Sequence, residues 1–213
     1  FVRRRQRQMC IRDRAEANLY ASGVVGQVSV TGNTVIDALL LMAETAPEIH
    51  FEGLDWQKQR VILATVHRRE NWGDRLRDIA DGILRLLDRF PDTALLLPLH
   101  RNPTVREPLQ ALLGQHPRVV LTEPLDYDRL VAAMKGCALL LTDSGGLQEE
   151  APALGKPVLV LRRTTERPEA VEAGTARLVG TDPAEIFSEA SRLLEDSEAY
   201  ACLLYTSDAA DDV

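Results

Sequence analysis

The chain has 213 residues, of which 45% are apolar and 27% charged, and a formal net charge of -7, which fits one folded domain with a full apolar core. No apolar stretch approaches the length of a bilayer-crossing helix, and no apolar run follows the first arginines as a secretory signal would require, so we expect a cytoplasmic protein with no membrane partner. The acidic balance argues against nucleic acid as a partner, since a nucleic-acid-binding face needs clustered basic residues.

The two ends of the chain differ in composition from the segment between them. Residues 1–14 carry six Arg against one Asp and show no periodicity, whereas residues 202–213 carry three Asp and interrupt a helical pattern. We expect both ends to be translated linker sequence foreign to the fold, and residues 15–201 to form the domain. Cys137 is then the one cysteine within the domain, and its apolar neighbours predict a buried side chain rather than a nucleophile.

Between those ends, apolar strands alternate with segments of helical periodicity, as is typical of a parallel sheet. The predicted strands are 28–31, 61–66, 94–97, 118–121, 138–141, 157–161 and 176–179. The predicted helices between them are 34–45, with Asn33 before it, one that Asp74 caps and that reaches Phe90, one that opens at Asn102 and Pro103 and ends at Leu113, 126–134 and 146–154. A last helix opens at Asp182 and Pro183. Each crossover is long enough to hold a helix, which parallel pairing requires. The sequence therefore predicts an α/β fold built on a doubly wound parallel sheet.

Right-handed crossovers place the strand-to-helix loops of such a sheet along one edge. His67, His100, Pro124 and Ser144 each follow a predicted strand, so we expect them to gather at the edge where these folds bind ligands. His67 is then either a ligand-binding residue or a residue that hydrogen-bonds only its own loop. The neighbouring Arg68 either binds phosphate or belongs to a solvated charge cluster.

Residues 142–150, Thr-Asp-Ser-Gly-Gly-Leu-Gln-Glu-Glu, join a strand to a helix through two glycines. We expect Ser144 at the N-cap of the helix, where backbone N–H groups and the positive end of the helix dipole face outward and where Gly145 and Gly146 allow a phosphate to approach. Glu149 and Glu150, one turn on, can accept hydrogen bonds from sugar hydroxyls. The pattern favours a nucleotide diphosphate site, while a capped helix whose glycines serve only close packing accounts for the same residues.

Six segments, in order and in spacing, resemble the non-hydrolysing UDP-N-acetylglucosamine 2-epimerases. They are Val-Thr-Gly-Asn-Thr-Val-Ile-Asp-Ala (30–38), His-Arg-Arg-Glu-Asn (67–71), Pro-Leu-His-Arg-Asn-Pro-Thr-Val-Arg-Glu (98–107), Thr-Asp-Ser-Gly-Gly-Leu-Gln-Glu-Glu-Ala-Pro (142–152), Gly-Lys-Pro-Val-Leu-Val-Leu-Arg (155–162) and Thr-Thr-Glu-Arg-Pro-Glu-Ala (164–170). The resemblance covers about residues 15–200 and corresponds to the second half of that family's chain.

This resemblance implies a Rossmann-like second domain of a glycosyltransferase-B-like fold, with the active site between two halves. Members of the family interconvert UDP-GlcNAc and UDP-ManNAc by eliminating UDP to give 2-acetamidoglucal and adding it back, without a metal or a redox cofactor. The carboxylates that move the C2 proton belong to the other half. The family also implies a homodimer and a place in the synthesis of cell-envelope polysaccharide.

The same resemblance assigns roles to residues within the matching motifs. It implies that His67 is the essential histidine near the diphosphate, and that Arg68 and His100 take part in a second, activating UDP-GlcNAc site found in some members. Four further residues would bind UDP: Ser144, Gly145 and Gly146 at its phosphates and Glu150 at its ribose. Arg167 is implied as another nucleotide contact, whereas Leu125 and Leu130 stand where the family often has Gln and Phe beside the uracil.

Two other functions remain open on the sequence. One is a different enzyme of the same fold, either a hydrolysing 2-epimerase that releases ManNAc and UDP or a glycosyltransferase that uses a UDP-sugar. The other is a non-catalytic UDP-sugar-binding protein. For residues 1–213 alone we expect weak UDP binding at most and no epimerisation, because the groups that move the C2 proton are not among the matching motifs.

Overall fold

A parallel sheet with helices on both faces makes up the part of the chain that this computed structural model describes, namely residues 13–26, 28–29, 33–165, 170–171 and 173–205. The strands are β1 Arg60–Thr65, β2 Thr93–Pro98, β3 Val119–Thr122, β4 Leu139–Thr142, β5 Val158–Val160 and β6 Ala176–Leu178. The helices are α1 Asp13–Ala21, α2 Thr34–Thr45, α3 Asp74–Arg89, α4 Pro103–Leu113, α5 Tyr127–Gly136, α6 Leu147–Ala153, α7 Pro183–Glu195 and α8 Ser197–Tyr205. A 3-10 turn, Arg69–Asn71, follows β1.

The six strands lie in the order β3-β2-β1-β4-β5-β6, and every neighbouring pair is parallel. The chain therefore winds outward in one direction from β1 to β3 and in the other direction from β4 to β6. The reversal falls between β1 and β4, where Thr65 is the register partner of Thr142. A crevice outside the carboxyl ends of these two strands is the usual ligand site of such sheets. The doubly wound fold predicted from the sequence is confirmed.

The core has two layers, one on each face of the sheet. In β1, Ile62 and Ala64 face the layer formed with α3, α4 and α7, whereas Val61 and Leu63 face the layer formed with α2, α5 and α6. All four side chains are at most 1% exposed, so β1 is apolar without alternation, as a strand covered on both faces must be. Full burial of each large side chain stabilises the fold by about 1.5–3 kcal/mol.

Three of the predicted helix starts are confirmed by side-chain caps. Asn33 and Asn102 accept hydrogen bonds from the backbone N–H groups of Val35 and Thr104, at 3.1 and 3.0 Å. Asp182 accepts from two N–H groups in the first turn of α7. Each cap satisfies donors that the helix itself leaves unpaired, which is why these starts could be found from local sequence.

Other predicted features differ from the structure. Asp74 is not a cap, because the N-cap position of α3 is held by Gly73 (φ +77°), which has no side chain to bond the first turn. The Asp74 carboxylate pairs with Arg77 instead. Of the predicted strand 28–31, residues 28 and 29 lie outside any strand, and residues 30 and 31 lie outside the described residues. Helices α1 and α8 were not predicted, and α8 continues past residue 202, with Leu203 buried against the core.

Arginines secure the amino edge of the sheet, opposite the crevice. The Arg118 guanidinium donates to the carbonyls of Leu87, Phe90 and Thr93 at 2.5–2.8 Å, which closes the carboxyl end of α3. The Leu87 carbonyl lies in the last turn of α3, where carbonyls lack partners within the helix, and a cation there also favours the helix dipole. Arg60 binds both carboxylate oxygens of Asp92 at 2.7 Å.

No helix among the described residues is both long and apolar enough to cross a lipid bilayer.

Cys137 is buried, as predicted. It is 1% exposed, its thiol donates to the Met134 carbonyl at 3.2 Å, and burial raises the pKa of the thiol to about 12. Since the thiolate is the reactive form, Cys137 is a packing residue rather than a nucleophile.

We therefore expect Cys137 to resist thiol reagents in the folded protein. In a variant with Cys10→Ser and Cys202→Ser, labelling by a disulfide reagent at pH 8 should be about 1,000-fold or more slower than after unfolding in guanidinium, because only about one thiol in 10⁴ is ionised at that pKa. Circular dichroism under the labelling conditions checks that the fold is retained. Rapid labelling of a folded sample would contradict the prediction.

Candidate functional site

The loops that follow β1 and β4 meet at the crevice, and one carboxylate joins them. Asp143, the first residue after β4, is fully buried. Its side chain accepts hydrogen bonds from the backbone N–H groups of His67 and Arg68, the latter at 2.8 Å, and from the side-chain amide of Asn71 at 3.0 Å. Below this carboxylate, the hydroxyls of Thr65 and Thr142 are 2.7 Å apart. The position of His67 is therefore set by a residue 76 positions away in sequence.

The imidazole of His67 also contacts Asp143. Its Nδ1 lies 3.1 Å from Asp143 Oδ1, and the side chain is 37% exposed. One ring nitrogen thus faces a buried carboxylate while the rest of the ring borders the crevice. Asp143 was not among the residues singled out from the sequence. The signal that could have found it is an acid placed directly after the buried strand β4, which needs a buried partner.

Arg68 and His100 lie beside His67, as predicted. The Arg68 guanidinium Nε donates to the Asp143 carbonyl at 3.2 Å. The His100 ring approaches the His67 ring edge-on, with centroids 6.2 Å apart, and its Nδ1 accepts from the backbone N–H of Asn102. Two imidazoles and a guanidinium therefore border one part of the crevice, where their donors can reach an anion.

The glycine loop after β4 leads into α6. Ser144 is not the N-cap of α6, since Gly146 occupies that position without a side-chain cap. Instead the Ser144 N–H donates to Thr142 Oγ1 at 3.0 Å, and its carbonyl accepts from the Gln148 side chain. Within the described residues no hydrogen bond to the Ser144 hydroxyl is present, which leaves it available to a ligand. A Cβ on Gly146 would lie 3.2 Å from a Glu150 carboxylate oxygen, so this glycine keeps the space beside Glu150 open.

Glu150 is a buried carboxylate with one neighbouring donor. Tyr127, 40% exposed, donates its hydroxyl to Glu150 Oε2 at 3.2 Å. Burial raises the pKa of Glu150, the hydrogen bond from Tyr127 lowers it, and the charge of Glu149 raises it. The pKa of Tyr127 is raised by burial and by the negative charge of Glu150. Tyr127 is thus a site residue that the sequence did not identify, because its partner is in another helix.

Further residues border this region. Glu149 accepts a hydrogen bond from the Asn33 amide at 2.9 Å, which ties the start of α2 to α6. A cleft of about 170 Å³ lies on the other side of the 67–71 loop, and its lining residues are Glu70, Asn71, Arg75, Arg163, Thr164 and Thr181. Leu125 and Leu130 pack against the core layer of α2 and α5. Arg167 lies outside the described residues. No group of three or more His, Cys, Asp or Glu among the described residues is placed to hold a metal ion.

Comparison with known proteins gives consistent matches. The profile of the family described as UDP-N-acetylglucosamine 2-epimerase matches residues 6–209. A protein of Ralstonia nicotianae named "Probable UDP-N-acetylglucosamine 2-epimerase" is 47% identical over 200 residues, which cover 90% of this chain and 53% of that protein. The UDP-N-acetylglucosamine 2-epimerase of Escherichia coli K12 is 45% identical over 188 residues, 83% of this chain and 49% of that protein. The chain therefore spans about half the length of these relatives.

Solved structures show the same fold. The crystal structure of UDP-GlcNAc 2-epimerase from Neisseria meningitidis bound to UDP-GlcNAc superposes with a TM-score of 0.83 at 44% identity, covering 89% of this chain and 53% of that one. The C-terminal domain of a group 1 glycosyltransferase from Francisella tularensis has a TM-score of 0.56 at 12% identity, covering 77% of this chain and 92% of that domain. The second match shows a fold shared with the glycosyltransferase domain.

The contact between Tyr127 and Glu150 makes a prediction about acidity. Tyr127→Phe removes a donor that favours the ionised carboxylate, so we expect the pKa of Glu150 to rise further above its usual value. Carbon-13 NMR titration of the glutamate carboxyl groups measures this shift directly. Tyr20→Phe, at an exposed tyrosine of α1, serves as the control and should leave the Glu150 titration unchanged. An unchanged or lowered pKa of Glu150 in Tyr127→Phe would contradict the role given to this hydroxyl.

Proposed function

The chain belongs to the UDP-N-acetylglucosamine 2-epimerase family, and from that membership we propose that the whole protein interconverts UDP-GlcNAc and UDP-ManNAc, with this chain as the half that holds UDP. The observation that carries the proposal is the junction of the His67 loop and the 143–146 loop at the point where the sheet order reverses. This edge is where sheets of this kind bind ligands, and an imidazole, a guanidinium and a glycine loop are groups that suit a diphosphate.

The proposed reaction needs stabilisation of a leaving diphosphate. A base removes the proton at C2 of the sugar, the bond between C1 and the UDP oxygen breaks, and the products are 2-acetamidoglucal and UDP. Addition of UDP back to C1, with a proton delivered to the opposite face of C2, completes the epimerisation. The electron pair of the broken bond stays on the diphosphate, so donors fixed around its oxygens lower the barrier in both directions.

The residues of this chain supply those donors in our proposal. The Ser144 hydroxyl and the loop N–H groups at Gly145 and Gly146 bind phosphate oxygens, and His67 contacts the oxygen that leaves C1. Glu150, held by Tyr127, accepts hydrogen bonds from the ribose hydroxyls. An ionised carboxylate accepts such bonds without donating, which suits the 2′ and 3′ hydroxyls of a ribose.

Other parts of the proposal depend on the resemblance alone. Arg167 is a further UDP contact, and Arg68 with His100 binds a second UDP-GlcNAc as an activator. The uracil is recognised by backbone groups, since Leu125 and Leu130 offer no amide. The carboxylates that move the C2 proton lie in the other half of the protein, which acts as a cytoplasmic homodimer in cell-envelope polysaccharide synthesis.

We expect single substitutions at the loop and at Glu150 to weaken UDP binding by this chain. Loss of a hydrogen bond to a charged phosphate costs about 1.5–3 kcal/mol, so Ser144→Ala should lower the affinity for UDP about 10-fold or more in calorimetry. Glu150→Gln should also weaken binding, because it places an amide N–H against the ribose. Ser188→Ala and Glu107→Gln repeat the same substitutions at exposed positions and should bind UDP normally. Equal affinities for UDP in all four variants would show that neither the 143–146 loop nor Glu150 binds UDP.

The activity itself is tested on the whole protein in deuterium oxide. Incubation with UDP-GlcNAc should give UDP-ManNAc that carries deuterium at C2, because the C2 proton exchanges with solvent during elimination. Nuclear magnetic resonance of the sugar ring measures both products and isotope. Free ManNAc and UDP would instead identify a hydrolysing enzyme, and UDP-GlcNAc recovered without deuterium would identify a protein that only binds the nucleotide sugar.

A further inference from the structure

We propose that Asp143 is a positioning residue that holds His67 in the tautomer protonated at Nδ1, so that the imidazole meets its ligand through Nε2. The proposal rests on the function proposed above only for the identity of that ligand. The hydrogen-bond arrangement that supports it belongs to the chain itself.

The Asp143 carboxylate has a defined role for each of its oxygens. Oδ2 accepts from the backbone N–H groups of His67 and Arg68 and from the Asn71 amide, at 2.8–3.0 Å. Oδ1 shares the His67 backbone N–H, at 3.1 Å, and faces the His67 ring, with Nδ1 also at 3.1 Å. The Asn71 amide nitrogen also donates to the Leu161 carbonyl at 3.0 Å, so its orientation is fixed by two acceptors. Three N–H groups thus donate to one carboxylate that is 0% exposed, and His67 Nδ1 lies beside it.

This convergence decides the protonation of the ring. An ionised carboxylate only accepts hydrogen bonds, so the ring nitrogen beside it must carry the proton. Neutral His67 then presents an unprotonated Nε2, and protonated His67 presents an N–H at Nε2 while Asp143 compensates its charge. A buried carboxylate that orients an imidazole in this way stabilises the imidazolium without itself taking the proton.

Other charged groups near the ring do not replace Asp143. The Arg68 guanidinium turns to the Asp143 carbonyl, and the His100 ring meets His67 edge-on at 6.2 Å between centroids. A guanidinium cannot accept a hydrogen bond, and His100 Nδ1 already accepts from the Asn102 N–H. Asp143 is therefore the group that selects the tautomer. In the proposed reaction, protonated His67 gives the proton on Nε2 to the diphosphate oxygen as the bond to C1 breaks, keeps the proton on Nδ1 beside Asp143, and recovers the Nε2 proton when UDP adds back.

Asp143→Asn separates tautomer selection from loop anchoring. The amide oxygen can take the place of Oδ2 and keep the three donors that hold the loop. The amide NH₂ then replaces Oδ1 and donates to Nδ1, which forces the proton onto Nε2. The substitution keeps the size and shape of the side chain and removes its charge, so the reversed tautomer is expected without a change in the loop.

Nitrogen-15 NMR of this chain at high pH, where an imidazole is neutral, tests the proposal. The native protein should show His67 protonated at Nδ1, and Asp143→Asn should show the Nε2–H form, with the resonance assigned through His67→Gln. Asp78→Asn, at an exposed position of α3, is the matched control and should keep the native spectrum. An Nε2–H form in the native protein overturns the proposal even if Asp143→Asn fails to fold, and so does an unchanged tautomer in a folded Asp143→Asn.

A kinetic measurement on the whole protein complements the spectrum. With the loop retained, Asp143→Asn should lower kcat about 100-fold and change KM less than about 3-fold, because the neutral amide does not compensate the charge of the imidazolium whose Nε2 proton passes to the leaving oxygen. A loss confined to KM would overturn the proposal. Because the tautomer is measured without substrate, failure of epimerisation in the native protein removes the proposed function and leaves the test of Asp143 intact.

Discussion

The buried carboxylate of Asp143 is the constraint on which the crevice depends. A parallel sheet that reverses its winding between β1 and β4 sends the segments after Thr65 and Thr142 apart, and the N–H groups of His67 and Arg68 donate to the Asp143 side chain instead of to a strand. A charge placed at this fork costs free energy unless donors surround it, and the fork supplies them. The Asp143 carboxylate thus provides acceptors for the N–H groups of the loop after β1, and these N–H groups stabilise the buried charge of Asp143.

The parts of the fold that local chemistry dictates could be predicted from the sequence. The N-caps of helices α2, α4 and α7 are Asn33, Asn102 and Asp182. Their side chains accept hydrogen bonds from backbone N–H groups two or three residues later in the chain. The strands could be recognised because a strand covered on both faces is apolar throughout. The start of α3 could not be placed correctly, because Gly73 supplies a backbone conformation and not a side-chain cap.

Most of the candidate site was also found from sequence, but its connections were not. His67, Arg68, His100 and the glycine loop all stand at strand ends, which the alternation of elements places on one edge. Asp143 and Tyr127 escaped notice because their partners lie 76 and 23 residues away, and a single sequence carries no record of such pairs. The expected cap at Ser144 was wrong for a related reason. Its N–H bonds to the strand behind it, at Thr142, and the helix starts three residues later.

The hydrogen bonds from Arg118 at the end of α3 lie at the opposite edge of the sheet from His67. Anchorage of the helices and recognition of the ligand are therefore carried by residues that share no hydrogen bond. Substitutions at the Arg118 edge can therefore change the thermal stability of the fold without changing the groups that border the crevice. That edge is consequently where a fluorophore, a surface tether or a fused reporter can be attached while the crevice stays open to its ligand.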